Sequence, residues 1–226
     1  MVKDRHSRFV DEDLDWLGEP ETKEEKDWDE SKHPRGEAGK FTESGGGDGG
    51  GSTNGIDKAE KFTPKELEAA KADVEDDFPD IKNYSVIGKE TNDFNCAADA
   101  CGDHADGWWW PGAGPDFHWP KEEDAPSEEA FDRLFVDDLG AEKLAPEAPN
   151  AETPENGFVK LALFEDVAQD PTHLTRLMDN GHWVSKMGSS WKVEHDKLHR
   201  LDGQLYGHPA VIYKMKTEEW RKLRDM

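Results

Sequence analysis

A thiolate is the strongest nucleophile an ordinary side chain offers near neutral pH, and this chain has two cysteines, Cys96 and Cys101. Cys96 follows Asn95 at the head of residues 95–102, a run of small apolar residues stopped by Gly102 that reads as a short helix. A cysteine at a helix N-terminus feels the positive end of the helix dipole, which lowers its pKa. A thiolate also needs a base, and His173 opens a strand pattern just after the Asp170-Pro171 turn. With Cys96 as nucleophile and His173 as general base and acid, the chemistry would be acyl transfer on an amide. Ser185, on a later strand, would orient His173. The Cys96 N–H, with Asn95, would hold the oxyanion. The alternatives are a small buried hydrophobe for Cys96 and an ordinary strand serine for Ser185.

Other residues offer further chemistry. Trp109 and Trp110, in a Trp108-Trp109-Trp110-Pro111-Gly112 loop, could stack a sugar or base, or pack the loop onto the core. Trp183 is a candidate for the core or for lining a substrate. Lys186 would hold a substrate carboxylate or sit at the surface. Cys96, Cys101, His104 and His118 could supply four zinc ligands, but the C-x4-C-x2-H spacing is unusual and no second ligand pair follows. His195 and His199 lie one helical turn apart, which would seat a metal or form a solvated face. We expect neither metal nor cofactor.

Two resemblances extend these readings. The run from Asn95-Cys96 through Trp109-Trp110-Pro111, Pro171-Thr172-His173, Asn180-Gly181, Trp183-x-Ser185-Lys186-x-Gly188, Val193-Glu194-His195 and Tyr206-Gly207 resembles an uncharacterised bacterial and phage domain family. That family looks papain-like, related in plan to NlpC/P60-type and transglutaminase-like domains. The resemblance implies a cysteine hydrolase acting on a peptide, isopeptide or cell-wall amide. One departure counts against it: the family's tryptophan after Cys-x-Ala is Asp99 here. If that carboxylate pointed inward, one turn from Cys96, it would oppose thiolate formation. Separately, Trp28, Glu30, His33-Pro34-Arg35, Gly39 and Phe41-Thr42 resemble a segment of tailed-phage head-morphogenesis proteins, implying a phage or prophage setting.

Elements must position these residues. The expected fold class is α+β and papain-like: N-terminal helices, then a small antiparallel sheet, behind a disordered N-terminal extension. Residues 1–57 hold only a short apolar cluster and end in a Gly-rich linker, residues 43–55. In residues 58–79 a helix is signalled by Thr63 as N-cap, Pro64 at the first position and Glu66 closing a capping box, with Pro79 ending it. Residues 80–216 form the α+β domain and 217–226 a tail. Within the domain, strands are expected at 84–88, 158–164, 172–178, 182–187 and 210–215. A helix is expected over 127–139, and a Pro-rich loop over 141–156. Asp179-Asn180-Gly181 signals a hairpin between the third and fourth of these strands.

Composition narrows the partners. Charged residues make up 35% of the chain and hydrophobic ones 34%, and the net charge is -24. Such acidity argues against binding nucleic acid or anionic membranes. It permits an acidic DNA mimic that blocks a host defence protein. Residues 1–80, however, carry 12 basic and 24 acidic groups, and 81–226 carry 16 and 28, so each part is -12, the acidity is not concentrated in the folded domain, and it reads as a solubility device. No apolar run approaches a membrane span, and the N-terminus lacks a signal-peptide stretch. The expected partners are a peptide or peptidoglycan-like substrate and phage structural proteins, in the host cytoplasm or the virion. The alternatives to a hydrolase are an inactive papain-like binding or structural accessory protein, and the DNA mimic.

Overall fold

The structure is a computed structural model that describes residues 59–226 apart from Asp106 and Asp124. The expected disordered extension, the phage-like segment at 28–42 and the Gly-rich linker lie outside the described residues. Helix α1 spans Pro64–Asp77. Its capping box forms as the sequence implies. The Glu66 N–H donates to the Thr63 hydroxyl at 3.3 Å, and the Thr63 N–H donates to the Glu66 carboxylate at 2.7 Å. The helix buries Ala70 and Val74.

After α1 come β1 (Tyr84–Gly88), α2 (Cys96–Cys101), α3 (Glu128–Asp132), β2 (Glu142–Leu144), β3 (Phe158–Glu165), β4 (Pro171–Leu177), β5 (Trp183–Lys186), β6 (Lys192–His195), β7 (His208–Lys216) and α4 (Thr217–Lys222). A π-helical turn, Arg133–Asp138, continues α3. The seven strands form one antiparallel sheet in the order β1-β6-β5-β4-β3-β7-β2. The domain is therefore α+β, as expected. Among the described residues no helix is long and apolar enough to cross a membrane.

Strand alternation divides the core in two. On one face Leu161, Leu163, Leu174 and Tyr213 meet α2, the α3 turn residues Phe131, Leu134 and Phe135, and Trp220 of α4. On the other, Ala162, Phe164, Trp183, Val193 and Ile212 meet Ala70 and Val74 of α1. Neighbouring residues of one strand thus lie in different clusters, a fact that governs the site.

Three elements correct the sequence reading. The short strand β6 was not anticipated, because four residues between Trp191 and Asp196 carry too little alternation to stand out. Strand β2 lies in the segment read as a Pro-rich loop. The expected tail at 217–226 is helical and integral to the core: Trp220 is buried, and its indole N–H donates to the Ala100 carbonyl of α2 at 3.0 Å. Amphipathic packing of one tryptophan orders a segment whose composition otherwise looks solvated.

Candidate functional site

Asn95 builds the start of α2. Its side-chain oxygen accepts from the N–H of Ala98 and from the N–H of Trp109, both at 3.1 Å. Its amide N–H donates back to the Trp109 carbonyl at 2.8 Å. Asn95 is thus both helix cap and tie to the tryptophan loop. The far end of α2 closes on Gly102, whose φ of +76° suits glycine, and a Cβ there would meet the Trp220 ring at 2.6 Å. The helix that carries Cys96 is fixed at both ends.

Cys96 lies where the sheet splits. β4 and β5 pair only at Arg176–Val184 and Leu177–Trp183. Beyond that point α2 packs on both strands. The thiol is 7% exposed, and burial pushes its pKa up to about 11. The Leu174 and Ala97 N–H groups and the Lys186 ammonium pull it down by less, and Asp99 adds to the rise. Six residues of helix dipole do not outweigh desolvation, so in this form the side chain is a thiol.

His173 is one residue from Leu174 but on the other side of the strand. It is fully buried, and neither ring nitrogen has a hydrogen-bond partner. Burial, with a smaller contribution from His195, lowers its pKa to about 3. The ring packs 4.3 Å from the Tyr206 ring and 5.8 Å from that of Phe164. The structure therefore brings Cys96 to Leu174 on β4, next in sequence to His173, without joining thiol and imidazole by a hydrogen bond.

Ser185 is not the group that orients His173. Its hydroxyl donates to Thr175 Oγ1 at 2.8 Å and lies 3.1 Å from Nε2 of His195. His195 Nδ1 is 2.8 Å from the Lys197 carbonyl. Alternation decides this. Ser185, Thr175 and His195 point to the α1 side with His173, but cross-strand neighbours reach the hydroxyl first. His195 also does not share a helix with His199: the former is in β6 and buried, and the latter is exposed and held by Asp202 at 2.8 Å. Among the described residues no three His, Cys, Asp or Glu side chains gather as a metal site would require.

The other candidates are placed as follows. Trp109 is fully buried, its indole N–H donating to Asp103 at 2.9 Å, while half-buried Trp110 meets Phe131 edge-on. Trp183 belongs to the core and donates to Glu152 at 3.0 Å. Lys186 is not a surface hook for a substrate carboxylate. Its buried ammonium donates to the carbonyls of Thr91, Gly188 and Ser190 at 3.2, 2.7 and 2.6 Å, and burial lowers its pKa to about 8. A buried ammonium satisfied by three carbonyls ties the β5–β6 turn to the approach to α2.

Sequence reasoning missed two features here. Asp99 does point inward, but it is neutralised: its carboxylate accepts from Lys192 at 2.7 Å and lies 2.9 Å from His104 Nε2. Burial alone would raise its pKa, yet Lys192 and His104 hold it well below the carboxylate range. Tyr206, noted only as part of a Tyr-Gly pair, covers His173. Neither is readable from spacing, because Lys192 reaches Asp99 from β6 and Tyr206 reaches His173 from a distant loop.

The fold and these side chains define an α+β domain with a cysteine, two histidines and a serine buried around a split in an antiparallel sheet. The chain belongs to the family described as a domain of unknown function, DUF7689, whose family model matches residues 85–214, from β1 into β7. Helices α1 and α4 fall outside that match. No curated protein and no solved structure matches the chain.

Proposed function

We propose that the domain is a cysteine hydrolase on a papain-like plan, with Cys96 as nucleophile and His173 as base, held here in a covered form. The observation that carries this reading is His173. A buried imidazole with both nitrogens unsatisfied costs stability, by about 1–3 kcal/mol for each lost partner. Such a group calls for an explanation, and a catalytic role is one that fits an imidazole. Its neighbour on β4, Leu174, presents an N–H to the Cys96 sulfur at the start of α2. Catalytic hydrogen bonds commonly tighten only when substrate is bound.

In the reactive form the Cys96 proton passes to His173, and the sulfur attacks an amide carbonyl. The C–N bond breaks, and the amine leaves with the proton from His173. Water then hydrolyses the thioester, returning the thiol and a carboxylic acid. The substrate class is a peptide or cell-wall crosslink, and the setting a phage or prophage. A second reading, a binding or structural accessory domain without catalysis, is favoured by the raised pKa of Cys96 and its lack of an imidazole partner.

Alkylation of Cys96 by iodoacetamide at pH 7.5, in a Cys101→Ala background, separates the two. In a hydrolase, His173→Phe, which keeps a ring in the core, slows the reaction tenfold or more. A rate that is equal or faster in His173→Phe overturns the hydrolase reading and leaves the binding one.

A further inference from the structure

Tyr206 stands in the loop between the 3-10 turn Leu198–Arg200 and β7. The loop closes on itself through two main-chain hydrogen bonds, Gly203 N–H to the Gly207 carbonyl at 3.1 Å and Gly207 N–H to the Gly203 carbonyl at 2.8 Å. Its base is rigid. Gly207 has φ +70°, and a Cβ there would collide with the Glu165 carbonyl. The Thr172 hydroxyl donates to the Tyr206 carbonyl at 2.6 Å. Its tip carries the exposed side chains of Gln204 and Leu205 and is tied to the chain just past α1 by one bond, from the Gln204 N–H to the Asp80 carboxylate at 3.2 Å.

The Tyr206 ring lies between two others. It stacks on Phe78, the C-cap of α1, at 5.8 Å and lies tilted against His173 at 4.3 Å. A small apolar cavity of about 30 Å³ adjoins it, lined by Phe78, Ile81, Met187, Leu201, Leu205 and Tyr206. Burial raises the pKa of its phenol, with smaller contributions from Cys96 and Asp77. One side chain therefore stands against the unpartnered imidazole. It comes from a short hairpin with a fixed base and an exposed tip.

We propose that Tyr206 is an intramolecular plug and that residues 203–207 are the gate of the Cys96–His173 site. With the ring in place the imidazole is dry and the thiol protonated. With the ring swung out, the slot between Phe78 and His173 opens to solvent and substrate. This inference rests on the hydrolase reading, and its test separates the two.

The test is the alkylation rate of Cys96 in the full chain, in a Cys101→Ala background, between pH 6 and 10. Tyr206→Ala raises the rate at pH 7.5 at least tenfold and moves the midpoint downward, while Tyr206→Phe, which keeps the ring, leaves both unchanged. Phe78→Ala, which loosens the plug from its other side, acts in the same direction and serves if Tyr206→Ala does not fold. Rates within twofold of wild type in both Tyr206→Ala and Phe78→Ala overturn the gate. If those rates hold but His173→Phe still slows the wild type, the hydrolase reading stands without a gate. If Tyr206→Ala accelerates alkylation and adding His173→Phe changes nothing, the ring is only a cover, and both the catalytic reading and the gate built on it fall.

Discussion

Replacing His173 by phenylalanine should stabilise the protein, and by an amount that depends on pH. The imidazole is fully buried with no partner on either nitrogen, and Phe164 and Tyr206 already surround it with aromatic rings. Phenylalanine removes the unsatisfied nitrogens, a gain of about 1–3 kcal/mol, against about 1 kcal/mol for the bulkier ring. The net expectation at pH 7.5 is about 1 kcal/mol of added stability. The pH dependence follows from the depressed pKa, about 3 in the fold against an ordinary 6.5. Below pH 6.5 the unfolded chain binds a proton that the folded chain refuses. The stability contributed by His173 is therefore complete above 6.5 and declines as pH falls towards 3. At pH 5 the loss is about 2 kcal/mol. The variant lacks this loss, so its advantage should widen by about 2 kcal/mol between pH 7.5 and pH 5. His195, also depressed by burial, is present in both proteins, so most of its contribution drops out of the difference. Urea unfolding at the two pH values measures it. An advantage that does not grow on acidification, or a variant less stable at pH 7.5, would show that His173 has a partner or packs as a structural residue.

Two further outcomes follow from the same packing. Glu165 is buried at the end of β3, and burial, with the Glu128 carboxylate beside it, raises its pKa to about 7 from an ordinary 4.5. The folded chain keeps a proton that the unfolded chain releases, so this contribution is present below pH 4.5 and lost as pH rises through 7. Urea titrations should show about 1–2 kcal/mol less decline over that window in Glu165→Gln, with screening included; equal slopes would refute the assignment. Trp220→Ala removes a buried indole and the bond to Ala100, and should cost about 3–5 kcal/mol and loosen α2, read by thermal melting and by faster hydrogen exchange at 96–102. A loss under about 1 kcal/mol would mean that α4 is dispensable.

Much of the local structure was readable without the fold. Thr63, Pro64 and Glu66 specified the start of α1, because a capping box is a contact among neighbours in sequence. Asn95 and Gly102 bounded α2 for the same reason, one through its side chain and the other through its positive φ. Strands β1, β3, β4, β5 and β7 followed from short apolar runs bounded by turn residues, since a strand buried on both faces is apolar along most of its length. Cys96, His173, Ser185 and Lys186 were picked out by residue type and position, and all four lie around the split between β4 and β5.

What each of them does there was decided by tertiary structure. A pKa depends on desolvation and on charges that arrive from elsewhere in the chain, so no spacing could reveal a thiol pushed to about 11 or an imidazole lowered to about 3. Which face of β4 holds His173, and which holds the residue that meets Cys96, depends on register and on which helix covers which side. Ser185 found His195 instead of His173, Asp99 found Lys192 across 93 residues, and Tyr206 came to rest on His173 from a loop 33 positions away. The sequence by itself determined the reactive groups and the elements that carry them. Their partners, their protonation and their access to solvent belong to the folded sheet, because each is a property of packing between segments distant along the chain.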